Sequence, residues 1–99
     1  MVSRYRDWLR QAERNFASAI VNKREGLYEE TCYESHQAAE KALKALLNYY
    51  SKERRGHSLL YLIRELEIEV PSKVRECVLF LDKQYIPTQY PNAYDEGLL

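Results

Sequence analysis

The sequence predicts an all-α fold, an up-and-down antiparallel bundle of four helices forming a single domain over residues 1–99. Three observations predict it. Apolar residues recur at intervals of three and four in four separate stretches. Glycine and proline number only three each, too few for a loop-rich or all-β chain. The stretches are joined by short connections, which favour antiparallel neighbours.

The first stretch runs from Ser3 to Lys23, with Tyr5, Trp8, Leu9, Ala12, Phe16, Ala19 and Ile20 on one stripe. Ser3 suits its N-cap, Lys23 and Arg24 suit its C-terminal dipole end, and Gly26 offers the stop. The second stretch, Tyr28 to Ser51, carries Cys32, Ser35, Ala39, Leu43, Leu46 and Tyr50 on one face. Ala38, Ala42 and Ala45 form a strip of small residues beside it. Small residues let a neighbour approach closely, so this helix is expected to be central and contacted on two sides. A charged turn, Lys52-Glu53-Arg54-Arg55-Gly56, leads to a shorter helix from His57 to Ile68, with Leu59, Leu62, Ile63 and Leu66 inward. Pro71 suits the first turn of a fourth helix, whose apolar face is Val74, Cys77, Val78, Leu81 and Tyr85. Pro87 and Pro91 predict an extended run from Ile86 to Tyr94.

Composition narrows the function classes. Fifteen basic and fifteen acidic residues cancel, so overall charge gives no reason for strong nucleic-acid or membrane attraction. No apolar run approaches the roughly 20 residues of a membrane span, and no signal peptide follows Met1, so a cytoplasmic protein is expected. Cys32 and Cys77 sit in helical patterns without metal spacing and read as buried free thiols. Nine tyrosines against two phenylalanines suit seams and a self-associating surface.

Residues able to carry chemistry are few. His36 lies mid-helix one turn before Glu40, and two candidate ligands make no metal site; it reads as a seam histidine. His57 opens the third helix beside the basic turn. With Ser58 it reads as a cap, and the sharper alternative is a phosphate contact at the helix N-terminus. Arg6, Arg10 and Arg14 share a helix face, and Lys52, Arg54 and Arg55 cluster in the turn, both with interleaved acids that favour solvated surfaces. Glu40 precedes Lys44 by four residues, the order of an exposed helical ion pair. No phosphate loop, nucleophile elbow or zinc pattern occurs.

Three segments resemble those of HEPN domains: Ser35-His36-Gln37-Ala38-Ala39-Glu40-Lys41-Ala42-Leu43-Lys44-Ala45-Leu46, Gly56-His57-Ser58-Leu59 with Leu62, and Leu81-Asp82-Lys83 continuing through Tyr85-Ile86-Pro87-Thr88-Gln89-Tyr90-Pro91-Asn92. Their order and separation are similar to the family's across nearly the whole chain. The resemblance implies a cytosolic HEPN-like bundle, usually a homodimer, serving as the helical partner of a separate minimal nucleotidyltransferase. It implies a non-catalytic subunit that helps bind that enzyme's nucleotide (ATP or AMP) or substrate, in some members within a two-gene toxin–antitoxin-type system. Glu40, Lys41, Lys44, His57, Asp82, Lys83 and Tyr90 stand in the matched segments and are the candidate contacts, with Lys52, Arg54 and Arg55 as secondary basic candidates. No catalytic residue, metal ligand or firm cofactor is expected.

Other HEPN proteins are metal-independent ribonucleases carrying Arg, four to six residues, then His. Here Tyr50, Ser51 and Lys52 precede His57 at those distances, and Glu29, Glu30 and Thr31 precede His36, so RNA cleavage is disfavoured. Lys52 has the spacing but lacks the planar fork of arginine. Gln89 stands where the family commonly has arginine before Tyr-Pro, and Leu99 ends the chain where relatives continue into another helix. The expectation is therefore a short or truncated member, lacking the final helix. A purely structural dimer is the blander alternative.

Overall fold

Four helices and no strand make up the described residues: α1 (Tyr5–Arg24), α2 (Tyr28–Tyr49), α3 (Leu59–Leu66) and α4 (Ser72–Gln89). The computed structural model describes the backbone of residues 4–89 and the side chains of residues 4–85.

The ends follow local chemistry. Gly26 takes φ +74° after α1, with Leu27 N–H donating to the Asn22 carbonyl and Gly26 N–H to that of Lys23, a Schellman stop. Arg4 occupies the N-cap position of α1 without a side-chain cap bond, and Ser3 lies outside the described residues. The same motif ends α2 earlier than the pattern suggests. Ser51 adopts φ +62°, its N–H bonds the Asn48 carbonyl, and Lys52 N–H bonds that of Leu47 at 2.8 Å. Glu67, at φ +57°, closes α3 before Ile68. Pro71 stands just ahead of α4, where its carbonyl accepts from Val74 and Arg75.

The extended run expected from Ile86 is corrected as far as Gln89, because α4 continues helically through Pro87. A proline there removes the bond its own N–H would have made to the carbonyl four residues earlier and crowds that carbonyl, yet the helix continues to the last described residue, Gln89. The remainder of that expected run, from Tyr90, lies outside the described residues.

Contacts establish the antiparallel order. Tyr5 at the start of α1 meets Tyr49 at the end of α2, ring centroids 5.5 Å apart, while Asn15 bonds Glu34. On another side of α2, Tyr33 stacks on Tyr85 and His36 bonds Asp82, so α4 also runs against α2. Helix α2 is central, packing against α1, α3 and α4, whereas α1 packs on α2 alone.

Two apolar clusters form the core. Leu47, Leu62 and Leu66 pack with Leu43 and Leu46, and Leu59, Ile63 and Val78 pack with Ala39, Leu43 and Leu81. The inward face of α3 is the one its periodicity predicts. The α1 stripe is corrected: Ala12 and Ala19 are buried, but Leu9, Phe16 and Ile20 remain exposed because α3 and α4 do not reach α1. Tyr28, Tyr50 and Val74 are likewise exposed. Both cysteines are free thiols, and the expected burial fails at Cys77, which is exposed. Along one flank of α2, two adjoining open hollows of about 430 and 480 Å³ share Ala42. Leu9, Phe16, Ala38 and Leu81 are among their walls. None of the described helices is long and apolar enough to cross a membrane.

This packing predicts unequal costs for truncation. Leu62→Ala, at a fully buried position, should lower unfolding free energy by about 2–5 kcal/mol in urea denaturation. Phe16→Ala, at a position 61% exposed, should change it by no more than about 0.5 kcal/mol in the isolated monomer.

Candidate functional site

Helix spacing lines up His36, Glu40 and Lys44 at four-residue steps along α2, and α3 and α4 close over them. His36 is fully buried, and the side chains of Glu40 and Lys44 are only 3% and 11% exposed. The exposed surface pair that the sequence suggests is thus a buried one. Lys44 Nζ donates to Glu40 Oε2 at 2.9 Å, and its ammonium also sits over the Trp8 ring, 5.4 Å from the centroid. Glu40 Oε1 lies 3.1 Å from His57 Nδ1, which reaches in from the turn before α3.

Asp82 of α4 makes the second node. Its Oδ1 is 3.0 Å from His36 Nε2 and accepts the Leu59 N–H at 2.8 Å, while Oδ2 accepts the Leu60 N–H at 3.1 Å. Ser58 caps α3 by accepting from the Tyr61 N–H and also donates to Asp82 Oδ2 at 3.4 Å. The first three N–H groups of α3 are therefore occupied within the fold. Ser58 caps the helix as the sequence suggests, but its partner in doing so is Asp82 and not His57, and the first N–H groups of α3 are bonded within the fold.

Burial pushes the Asp82 carboxyl up, but the bond to His36 and the two α3 N–H groups outweigh it and hold the group below the ordinary 3.8. Tyr85 covers the network, its ring stacked on His36 with centroids 4.0 Å apart and tilted to His57 at 5.9 Å. Among the described residues, His36 Nδ1 is the buried side-chain polar atom without a hydrogen-bond partner, 3.9 Å from Glu40 Oε1.

The candidate residues thus divide. Glu40, Lys44, His57 and Asp82 come together, and His36, read as a seam residue, proves to link them. Lys41 is half-buried and Lys83 exposed, and neither enters the network. Tyr90 lies outside the described residues. Lys52 donates to the Glu65 carbonyl at 3.0 Å, and Arg54 pairs with the Glu65 carboxylate, which ties the turn to the far end of α3. Arg55 is exposed. Among the described residues no group of three His, Cys, Asp or Glu side chains could hold a metal ion. Of the network's imidazoles, only that of His57, with its side chain 56% exposed, is open to solvent.

Two substitutions probe this arrangement. Lys44→Met should cost about 3–5 kcal/mol in chemical denaturation, because it strands the Glu40 carboxylate in the interior. Asp82→Asn should cost about 1–3 kcal/mol at neutral pH through weakened bonds to α3 and His36. Because the folded value of Asp82 is depressed, its contribution is complete above the unfolded value and is lost as pH falls through the folded one. The variant's loss of stability relative to wild type should therefore shrink below about pH 4, measured as the urea midpoint against pH.

The HEPN domain family model matches residues 5–97. A search of curated proteins gives no match. Among solved structures, TT1696 from Thermus thermophilus is 41% identical with a TM-score of 0.84, covering 93% of this chain and 74% of that one. ST0689, described as an archaeal HEPN homologue, is 43% identical with a TM-score of 0.76, covering 91% of this chain and 70% of that one. With the family model spanning nearly all of the sequence and two such neighbours sharing its helices, the chain belongs to the HEPN family.

Proposed function

We propose that this chain is a non-catalytic, homodimeric binding subunit that pairs with a separate minimal nucleotidyltransferase and helps hold that enzyme's nucleotide or substrate. The observation that carries the reading is the open imidazole of His57, anchored through Glu40 to a buried network spanning three helices. A side chain fixed from behind and open in front is suited to gripping a ligand without reorganising. The matched HEPN segments contribute Glu40, Lys44, His57 and Asp82 to this arrangement, which connects the family resemblance to one place on the surface.

The ribonuclease alternative loses support from the same geometry. Lys52 and Arg54, the cations nearest in sequence to the required spacing, are engaged with Glu65 towards the C-terminal end of α3, away from His57 at its other end. His36 is sealed from solvent. For self-association, exposed Leu9 and Phe16 beside exposed Ala42 of α2 offer an apolar face suited to a second copy.

Light scattering should give about twice the chain mass of 11.8 kDa, and Phe16→Glu should return it to the monomer value. Co-expression with the product of an adjacent nucleotidyltransferase gene should yield one co-eluting complex. Separate elution of the two proteins would refute the pairing, and RNA cleavage without metal that His57→Ala abolishes would establish the nuclease instead.

A further inference from the structure

We infer that the neutral His57 ring presents a bare Nε2 lone pair to its ligand, so the group it receives in that form is a hydrogen-bond donor, the hydroxyl or amine of an acceptor substrate, and not a nucleotide's phosphate. This rests on the binding-subunit reading and selects between its two ligands. The argument begins with Glu40. Its carboxylate is paired with the Lys44 ammonium, and an ionised carboxylate only accepts hydrogen bonds. The 3.1 Å contact with His57 therefore requires the proton on Nδ1, which leaves Nε2 of the neutral ring as an acceptor. The same reasoning at Asp82 puts the His36 proton on Nε2. The two imidazoles are thus held in opposite tautomers, one buried and one open.

Charge balance points the same way. The network holds two carboxylates, Glu40 and Asp82, against one ammonium, that of Lys44. Donors that could have met an anion are turned inward: Lys44 Nζ is buried against Glu40, and the first N–H groups of α3 bond Asp82 and Ser58. A phosphate drawn in by exposed Arg55 would have to settle beside an acceptor lone pair and next to these carboxylates. A hydroxyl or ammonium group instead finds an acceptor whose direction is fixed by a buried partner.

Long-range ¹H–¹⁵N spectra of the full chain above the imidazole titration range decide the matter. His57 should show the Nδ1–H tautomer and His36 the Nε2–H tautomer. Glu40→Gln, whose amide can donate as well as accept, should shift His57 towards a mixture of tautomers, and should that variant unfold, the wild-type spectrum still decides. At that same pH, titration with inorganic phosphate and with AMP should leave the His57 ring resonances without a saturable shift. An Nε2–H tautomer at His57, or saturable phosphate binding there, overturns the inference. Either result is distinct from failure to form a complex with a nucleotidyltransferase, which would remove the binding-subunit reading itself.

Discussion

The described structure turns on the carboxylate of Glu40. Sealed inside the helical packing, it would be untenable alone, since a buried charge without partners is strongly destabilising. Lys44 from its own helix and His57 from the turn before α3 each take one of its oxygens. The burial of this one group therefore fixes where α3 begins and which way its first turn faces. Asp82 does the complementary work from α4, reaching the same N-terminus and holding His36 beside it. Three helices meet at a polar centre flanked by leucines, and the leucines alone would not specify that meeting. Apolar side chains tolerate sliding past one another, whereas hydrogen-bonded charges at about 3 Å do not.

Against this, α1 is held differently. It touches only α2, through small residues, the Tyr5–Tyr49 ring contact, the Asn15–Glu34 bond and the Lys44–Trp8 contact. The last of these links α1 to the polar centre, because the same ammonium that neutralises Glu40 rests on the Trp8 ring. One lysine thus mediates between the two halves of the packing. The apolar flank left between α1 and α4 follows from the same geometry: two helices seated on separate sides of α2 bury Ala38 and Ala45 but leave Ala42 exposed between them.

The sequence made the helices legible because their period depends only on which residues prefer water. Leu59, Leu62, Ile63 and Leu66 repeat cleanly, and all four are buried. The boundaries were less legible where a residue acted against type, as Ser51 did in ending α2 at positive φ without glycine and Pro87 did in remaining helical. The site was half legible. Glu40 and Lys44 at a four-residue spacing describe a solvated ion pair as well as a buried one, and only the arrival of α3 and α4 decides. A signal was nonetheless present. His36 and Glu40 share a helical face with Leu43 and Leu47, so polar residues stood at core positions of an otherwise apolar stripe. The face marked by Ser35 and Ala39 is offset from that stripe by one residue, and the network lies under the stripe.

This placement changes what the family segments signify. Within the α2 segment, Glu40 and Lys44 face inward and hold the fold together, so their spacing is demanded by packing before any ligand is considered. The same is true of Asp82, whose acceptors are occupied by α3 and His36. A match at these positions therefore testifies to the fold. Of the four candidates the structure gathers, His57 alone combines a fixed orientation with open access, and its orientation is itself a product of the buried three. The motif and the site are one construction seen at different depths: the inner residues specify where the imidazole stands and which nitrogen it shows, and the imidazole is where chemistry with another molecule becomes possible.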